Sequence, residues 1–137
     1  MEDRLNFRTP IYGADGKFKK FVYWNAESGF PAVTCREGSV FKNPEQCSAV
    51  RDKNGCLIYE GDIINLKDND FEEKYVIEFD KDSACFCCVI RNRTSNITID
   101  WVPFADVIPL PIYADVVGNV HENPELLEVK NERKTEI

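Results

Sequence analysis

The 137-residue chain lacks several patterns that would identify an enzyme or a membrane protein. It has no run of about 18 apolar residues, the length that a membrane-spanning helix needs. Its first residues, MEDRLNFRTP, are charged and never reach the apolar region of a signal peptide, so we expect a cytoplasmic protein with no membrane partner. Glycine-rich phosphate loops of the Walker or Rossmann type are absent too, which argues against a nucleotide-binding enzyme.

Metal-binding patterns are also missing, although the chain has six cysteines. Cys85, Cys87 and Cys88 form a C-x-C-C pattern, whereas a zinc site needs two C-x₂₋₄-C pairs or matching histidines. Without an export signal, we expect the thiols to be reduced. The cysteines are therefore predicted to be small buried hydrophobic residues, and we expect no metal and no cofactor.

The acidic segment KDNDFEE has a partial calcium-loop pattern, with carboxylates at Asp68, Asp70 and Glu72. An EF-hand places glycine at the sixth position, where this chain has Glu73, and no flanking helix is predicted. We therefore interpret the segment as a solvated loop.

The net charge of -7 argues against a polyanionic partner, because proteins bind nucleic acid non-specifically by neutralising phosphates with Lys and Arg. A local basic patch remains an alternative. Its members would be Lys17, Lys19, Lys20, Arg91 and Arg93. Because edge strands commonly carry lysine to prevent association between sheets, a solvated edge is the simpler interpretation.

Short apolar alternations separated by turn residues predict a mainly β chain, since no long 3.6-residue period is present. The predicted strands cover residues 5–7, 18–24, 47–51, 56–59, 63–66, 75–79, 85–91 and 97–101. The stretch between residues 25 and 46 is broken by glycine and proline, which predicts a loop with one or two edge strands.

The segment DKNGCLIYEGDIINL predicts a strand pairing with a fixed register. A tight turn over Asp52, Lys53 and Asn54, with Gly55 in the left-handed conformation, would join two strands into a hairpin. A second turn at Gly61 would start the next strand.

The segment DVVGNVHENPELLE predicts a short C-terminal helix. Asn123 is placed as its N-cap, Pro124 suits the first helical position, and Glu125 complements the positive end of the helix dipole. Leu126 and Leu127 would pack the helix against the sheet.

These two segments, with the looser LNFRTPIYGADGKF near the start, resemble the YopX family of phage and prophage proteins. The resemblance implies a β-rich fold around an SH3-type barrel, with no established biochemical activity and no catalytic residues to transfer. We therefore expect one domain over residues 1–137. It would comprise an N-terminal β extension (1–45), a barrel-like core with the C-terminal helix (46–128) and a frayed tail (129–137).

Catalysis would require a cysteine nucleophile with His121, the only histidine, as its base. The sequence suggests no third orienting group, and a polar residue before a capped turn is usually exposed, so we expect no enzyme and no catalytic residues.

Two functional classes then remain. The first is a non-catalytic protein-interaction module with an aromatic cleft, for which the candidates are Tyr23, Trp24, Tyr59 and Trp101, against core packing as the simpler role. The alternative is a nucleic-acid-associated phage accessory protein. Exposed strand edges also make a homo-oligomer possible.

Overall fold

The computed structural model describes residues 5–92, 97–107 and 109–127. Within them the chain forms two five-stranded sheets, and all of the strand pairs are antiparallel. The predicted mainly β fold is therefore confirmed. The predicted tail, residues 129–137, lies outside the described residues.

The first sheet, sheet 1, contains the strands from the N-terminal part of the chain. They are β1 (Asn6–Tyr12), β2 (Phe18–Asn25), β3 (Val40–Phe41), β4 (Glu45–Arg51) and β5 (Leu57–Tyr59). Their order is β2-β1-β4-β5, with β3 also paired to β1. Because β4 pairs with both β1 and β5, sheet 1 crosses the boundary that the sequence placed between residues 45 and 46.

The second sheet, sheet 2, contains the remaining strands in the order β10-β6-β7-β8-β9. They are β6 (Asp62–Lys67), β7 (Glu72–Asp80), β8 (Cys85–Asn92), β9 (Ile97–Pro103) and β10 (Ala114–Asn119). Between β9 and β10 lie a 3₁₀ turn, Phe104–Asp106, and the short helix α1, Leu110–Tyr113. A second 3₁₀ turn, Pro124–Leu127, follows β10, where the sequence predicted a short helix.

The predicted hairpin between β4 and β5 is confirmed at its turn. Gly55 has φ +85° and donates its N–H to the carbonyl of Asp52 at 3.0 Å. The buried Asp52 carboxylate accepts backbone N–H groups from Asn54, Cys56 and Val116 at 2.9 Å each. Burial raises the pKa of this carboxyl, but those hydrogen bonds outweigh burial and hold the pKa below its usual range. The turn of sheet 1 is thereby joined to β10 of sheet 2.

The main core lies on one face of sheet 2 and is closed by α1. It contains Ile58, Ile64, Leu66, Tyr75, Ile77, Cys88, Ile90, Leu110 and Ala114. Cys87 and Cys88 alternate on β8 and are both fully buried, so both faces of this strand are covered. The prediction of buried cysteines is confirmed for these two and for Cys47, but it is wrong for Cys56, which is exposed.

No helix among the described residues is long and apolar enough to cross a membrane.

Candidate functional site

A set of polar and charged side chains, two of them buried and three partly buried, lies where sheet 1 meets the turn before β6 and the turn after β10. We call it the polar junction, and it consists of Arg8, Glu45, Asp62, His121 and Tyr12. Arg8 Nε donates to Glu45 Oε1 at 2.8 Å, and Arg8 Nη1 pairs with Asp62 Oδ1 at 2.8 Å. One arginine therefore bridges two carboxylates.

His121 extends this network at its other end. Its Nε2 lies 2.7 Å from Glu45 Oε2, and its Nδ1 lies 2.6 Å from the hydroxyl oxygen of Tyr12. The expectation that His121 is exposed is wrong, because only 14% of its side chain is accessible. Both ring nitrogens of His121 therefore have hydrogen-bonding partners within the chain.

Aromatic rings surround these charged groups. The Arg8 guanidinium lies 4.1 Å from the ring centre of Phe21 and 5.0 Å from that of Tyr59. The His121 ring stacks on Phe18 at 5.6 Å. Such rings stabilise cations while excluding water, so they hold the guanidinium in a fixed orientation.

The turn before β6 leaves space for the junction because it contains glycine. Gly61 has φ +88°, and a Cβ at this position would lie 2.8 Å from a carboxylate oxygen of Glu45. The next residue, Asp62, accepts the N–H of Tyr59 at 2.8 Å in addition to its pairing with Arg8. The YEGD motif is thus a turn that presents a carboxylate to sheet 1.

In the polar junction, one guanidinium lies between the buried carboxylate of Asp62 and the partly buried carboxylate of Glu45. Burial raises the pKa of Asp62 to about 6, and Arg8 opposes this shift only in part. Burial alone would lower the pKa of Arg8, but Asp62 and Glu45 raise it above its usual value. Burial and the charge of Glu45 also raise the pKa of Tyr12. The guanidinium therefore stays charged, while Asp62 titrates within a mildly acidic range.

The turn after β10 positions His121 by side-chain hydrogen bonds to the backbone. Asn119 Oδ1 accepts the N–H groups of His121 and Glu122, each at 3.0 Å. Asn123 was predicted to cap the following helix, but its Oδ1 accepts the N–H of Asn119 at 3.2 Å instead. The asparagines thus close the turn that carries His121 rather than start a helix.

A second candidate site is an open pocket of about 240 Å³ at one end of sheet 2. We call it the apolar pocket, and its lining residues are Leu66, Asp68, Phe71, Tyr75, Cys88, Val102 and Val107. Leu66, Tyr75 and Cys88 are buried, whereas Phe71 is 40% exposed.

The few polar atoms of the apolar pocket are already engaged or neutral. The Tyr75 hydroxyl donates to Asp100 Oδ2 at 3.3 Å, and burial together with Asp100 raises the pKa of Tyr75 to about 12. Burial also raises the pKa of the Cys88 thiol to about 12. Both groups are therefore uncharged near neutral pH, so the pocket offers an apolar surface rather than a nucleophile.

Of the three residues of the partial calcium loop, Asp68 and Asp70 share one loop, whereas Glu72 lies on a strand. Asp68 Oδ1 accepts the N–H of Asp70 at 3.0 Å within the loop, whereas Glu72 is the first residue of β7 and accepts from Asn65 Nδ2 at 3.0 Å. The loop is thus shorter than predicted, ending at Phe71.

The predicted basic patch is divided between the two sheets. Lys17, Lys19 and Lys20 lie at the hairpin of β1 and β2, Arg91 lies on β8, and Arg93 is outside the described residues. Lys19 Nζ is paired with Asp15 Oδ2 at 3.1 Å.

A groove of about 760 Å³ beside this hairpin also has mixed charge. Its charged lining residues are Asp15, Lys19, Lys20, Arg36 and Glu37. The groove is therefore no continuous basic surface.

The predicted aromatic cleft does not form around Tyr23, Trp24, Tyr59 and Trp101. Tyr23 packs edge-on against Tyr59 with ring centres 5.7 Å apart, while Trp24 stacks on Phe7 at 4.7 Å. Tyr23 and Trp24 are adjacent in β2 and so point to opposite faces of sheet 1. Trp101 lies on β9, in the other sheet.

Sequence reasoning missed both sites described above. The signal for the apolar pocket is Phe71, a large apolar residue inside an otherwise polar and acidic loop. The signal for the polar junction is Arg8, a charged residue in a strand whose next three residues, Thr9, Pro10 and Ile11, are apolar or uncharged.

No curated protein matches the chain. A family model described as YopX protein matches residues 33–128, which is more than half of the sequence. This range includes β3 to β10 and all of the polar junction except Arg8 and Tyr12. The chain therefore belongs to the YopX family.

Proposed function

We propose that the chain is a non-catalytic protein-interaction module that binds its partner through the apolar pocket. The observation that carries this proposal is the exposure of Phe71 beside a buried apolar floor. An accessible aromatic wall next to an apolar cavity is a common form of anchor site in protein interfaces.

The engagement of other polar groups supports a binding role over catalysis. His121 has partners on both ring nitrogens, and the raised pKa of Cys88 keeps its thiol protonated. A hydrolytic or transfer mechanism needs a nucleophile and a base within reach of each other. We accordingly propose no enzymatic activity.

The biological setting is part of the same proposal. Membership of the YopX family supports a phage- or prophage-derived accessory protein, acting in the cytoplasm. We also propose that sheet 2 and its closing segments correspond to the SH3-type barrel that the sequence resemblance implies.

The test is affinity purification of the tagged chain during prophage induction, with and without nuclease treatment. The same purification uses Phe71→Ala and, as its control, Phe79→Ala, which removes a similarly exposed ring outside the pocket. We expect a protein that is captured by the unmodified chain and by Phe79→Ala, but lost with Phe71→Ala.

Capture that is equal for all three proteins would contradict a role for the pocket. Loss of the captured protein on nuclease treatment would favour the nucleic-acid-associated alternative, which the net charge of -7 disfavours. Light scattering of the purified chain would test the proposed homo-oligomer.

A further inference from the structure

We propose that the apolar pocket receives one large apolar side chain from a basic segment of a partner protein, with flanking Lys or Arg residues contacting an acidic rim. This inference rests on the proposed function and specifies the chemistry of the partner.

The size of the pocket indicates a single side chain. Small-molecule and cofactor sites have volumes of about 300–1,000 Å³. The apolar pocket has about 240 Å³ and is open to solvent on one side. It is therefore too small for a nucleotide or a cofactor but suits one Phe, Leu or Met side chain inserted from the surface.

The lining indicates that this side chain is apolar. Leu66, Phe71, Val102 and Val107 contribute hydrocarbon surface, and the Tyr75 hydroxyl is directed to Asp100. A polar ligand group inserted here would lose its hydrogen bonds to water without replacing them. Insertion of an apolar side chain would instead cover Phe71, which is 40% exposed in the free protein.

The charges at the rim indicate a cationic segment around that anchor. Asp68 lines the pocket, Asp70 follows it on the same loop, and Asp106 immediately precedes the lining residue Val107. Asp70 and Asp106 are exposed. The Asp68 carboxylate, with the exposed Asp70 and Asp106 next to lining segments in the chain, would attract a basic partner and repel an acidic one.

The two lysines on the strand segments that flank the Asp68 loop, Lys67 and Lys74, lie on the other face of sheet 2. In the pairing of β6 with β7, Asn65 lies opposite Lys74, Leu66 opposite Glu73 and Lys67 opposite Glu72. Side chains alternate between the faces of a strand, so Lys67 and Lys74 point away from the face that Leu66 and Tyr75 present to the pocket. Neither of these two lysines therefore lies on the pocket face, where it could offset the charge of Asp68.

The test is a fluorescence-anisotropy titration of the full chain with three short labelled peptides of equal length. The first has one Phe flanked by Lys and Arg, the second replaces that Phe with Ser, and the third keeps Phe but replaces the basic residues with Glu. We expect the first peptide to bind roughly tenfold to a hundredfold more tightly than the second, because the anchor loses its burial. We expect the acidic peptide to bind more weakly than the first, with the difference shrinking as salt is added.

Two variants and two controls locate the binding. Phe71→Ala should lower the affinity for the first peptide by roughly tenfold. Asp68→Asn keeps an oxygen that accepts the N–H of Asp70 but removes the charge, so it should weaken only the basic peptide and mainly at low salt. Phe79→Ala and Asp82→Asn, both at exposed positions outside the pocket, should leave binding unchanged.

The outcomes separate this inference from the broader proposal. Equal or tighter binding of the acidic peptide with dependence on Phe71 would overturn the basic-partner inference but retain the interaction module. Binding of the first peptide that ignores both variants, or the absence of any peptide binding, would overturn the inference. In that case the purification with Phe71→Ala decides the proposed function independently.

Discussion

The polar junction and the apolar pocket both combine carboxylates with aromatic rings. The polar junction has its charged groups paired within the chain, whereas the apolar pocket leaves an apolar surface partly exposed. In the polar junction, Arg8 lies between Glu45 and Asp62, and His121 occupies the remaining oxygen of Glu45. In the apolar pocket, Asp68 lies at an opening whose floor is hydrocarbon and whose aromatic wall, Phe71, is partly exposed.

The difference separates a region whose polar groups are paired within the fold from a region whose apolar surface is partly exposed. Charged groups removed from water stabilise a protein only when their partners are all in place, and a completed network has no capacity for a ligand. An exposed apolar surface contributes little to folding but gains free energy when a partner covers it. We therefore assign a structural role to the polar junction, whose groups are paired with one another, and keep recognition as our proposal for the apolar pocket.

The largest expected effect comes from removing the cation of the polar junction. Arg8→Met leaves the Glu45 and Asp62 carboxylates in a buried site without their shared partner, which should lower the free energy of unfolding by about 3–5 kcal/mol. Urea denaturation measures the change. The control is Lys19→Met, which breaks an exposed pair and should leave the unfolding midpoint nearly unchanged. A similar loss in both variants would contradict the assignment.

The pH dependence of stability should report on Asp62. Because burial raises its pKa in the folded protein to about 6, the folded state binds this proton more tightly than the unfolded state does. The stability gained from this tighter proton binding is fully present below the unfolded pKa of Asp62, about 4. It is lost as the pH rises through the folded pKa of about 6. Asp62→Asn should remove this component, which is about 2 kcal/mol between these limits.

The effect is measured as the urea midpoint of the unmodified chain and of Asp62→Asn. The midpoints are compared at several pH values from about 4 to neutrality. Other carboxylates titrate in both proteins, so the difference between the two curves isolates Asp62. Parallel curves would show that Asp62 has an ordinary pKa in the folded protein.

A smaller effect is expected at the edge of the polar junction. His121→Phe retains a ring that can stack on Phe18 but loses the hydrogen bonds to Glu45 and Tyr12. We expect a loss of about 1–2 kcal/mol in the free energy of unfolding, measured by urea denaturation. The control Tyr23→Phe removes a hydroxyl from a residue that is 58% exposed and should have almost no effect. Equal stability of His121→Phe and the unmodified chain would place His121 outside the stabilising network.

The smallest effect on folding is expected in the apolar pocket. Phe71→Ala removes a partly exposed ring and should change the free energy of unfolding by about 0.5 kcal/mol or less, although we propose that it weakens partner binding. Ile77→Ala, at a fully buried position of β7, should cost about 2–5 kcal/mol and provides the contrast in thermal or urea denaturation. A large loss of stability in Phe71→Ala would show that the Phe71 ring packs as part of the core and would contradict its role as an exposed binding surface.

Local features of this fold were predictable from the sequence. The alternation of Tyr75 and Ile77 indicated β7, and the Asn54-Gly55 pair indicated the turn between β4 and β5. These features depend on side-chain periodicity and on the conformation that one turn requires, both of which are local properties of the chain.

Two features were not predictable from the local sequence, although each lies within a short segment of the chain. Asn123 was predicted to cap the helix that follows it. Its side chain instead accepts the N–H of Asn119 in the turn that carries His121. The β4 strand also has an irregular register between Cys47 and Arg51, where Ala49 has φ +68°, and the turn sequence gave no sign of this bulge. In both cases a local preference was overridden by the geometry of the surrounding sheets.

By itself, the sequence determined a mainly β chain, the positions of most strands and turns, and membership of a family through motifs that specify turns. Only the tertiary structure decided that His121 meets Tyr12, which is 109 residues away, and that Arg8 meets Glu45 across 37 residues. Strand periodicity predicts which residues share a face of a strand. It does not predict which strands pair or which turns lie beside them. Those choices depend on the packing of the two sheets, so the closed polar junction and the open apolar pocket become visible only in three dimensions.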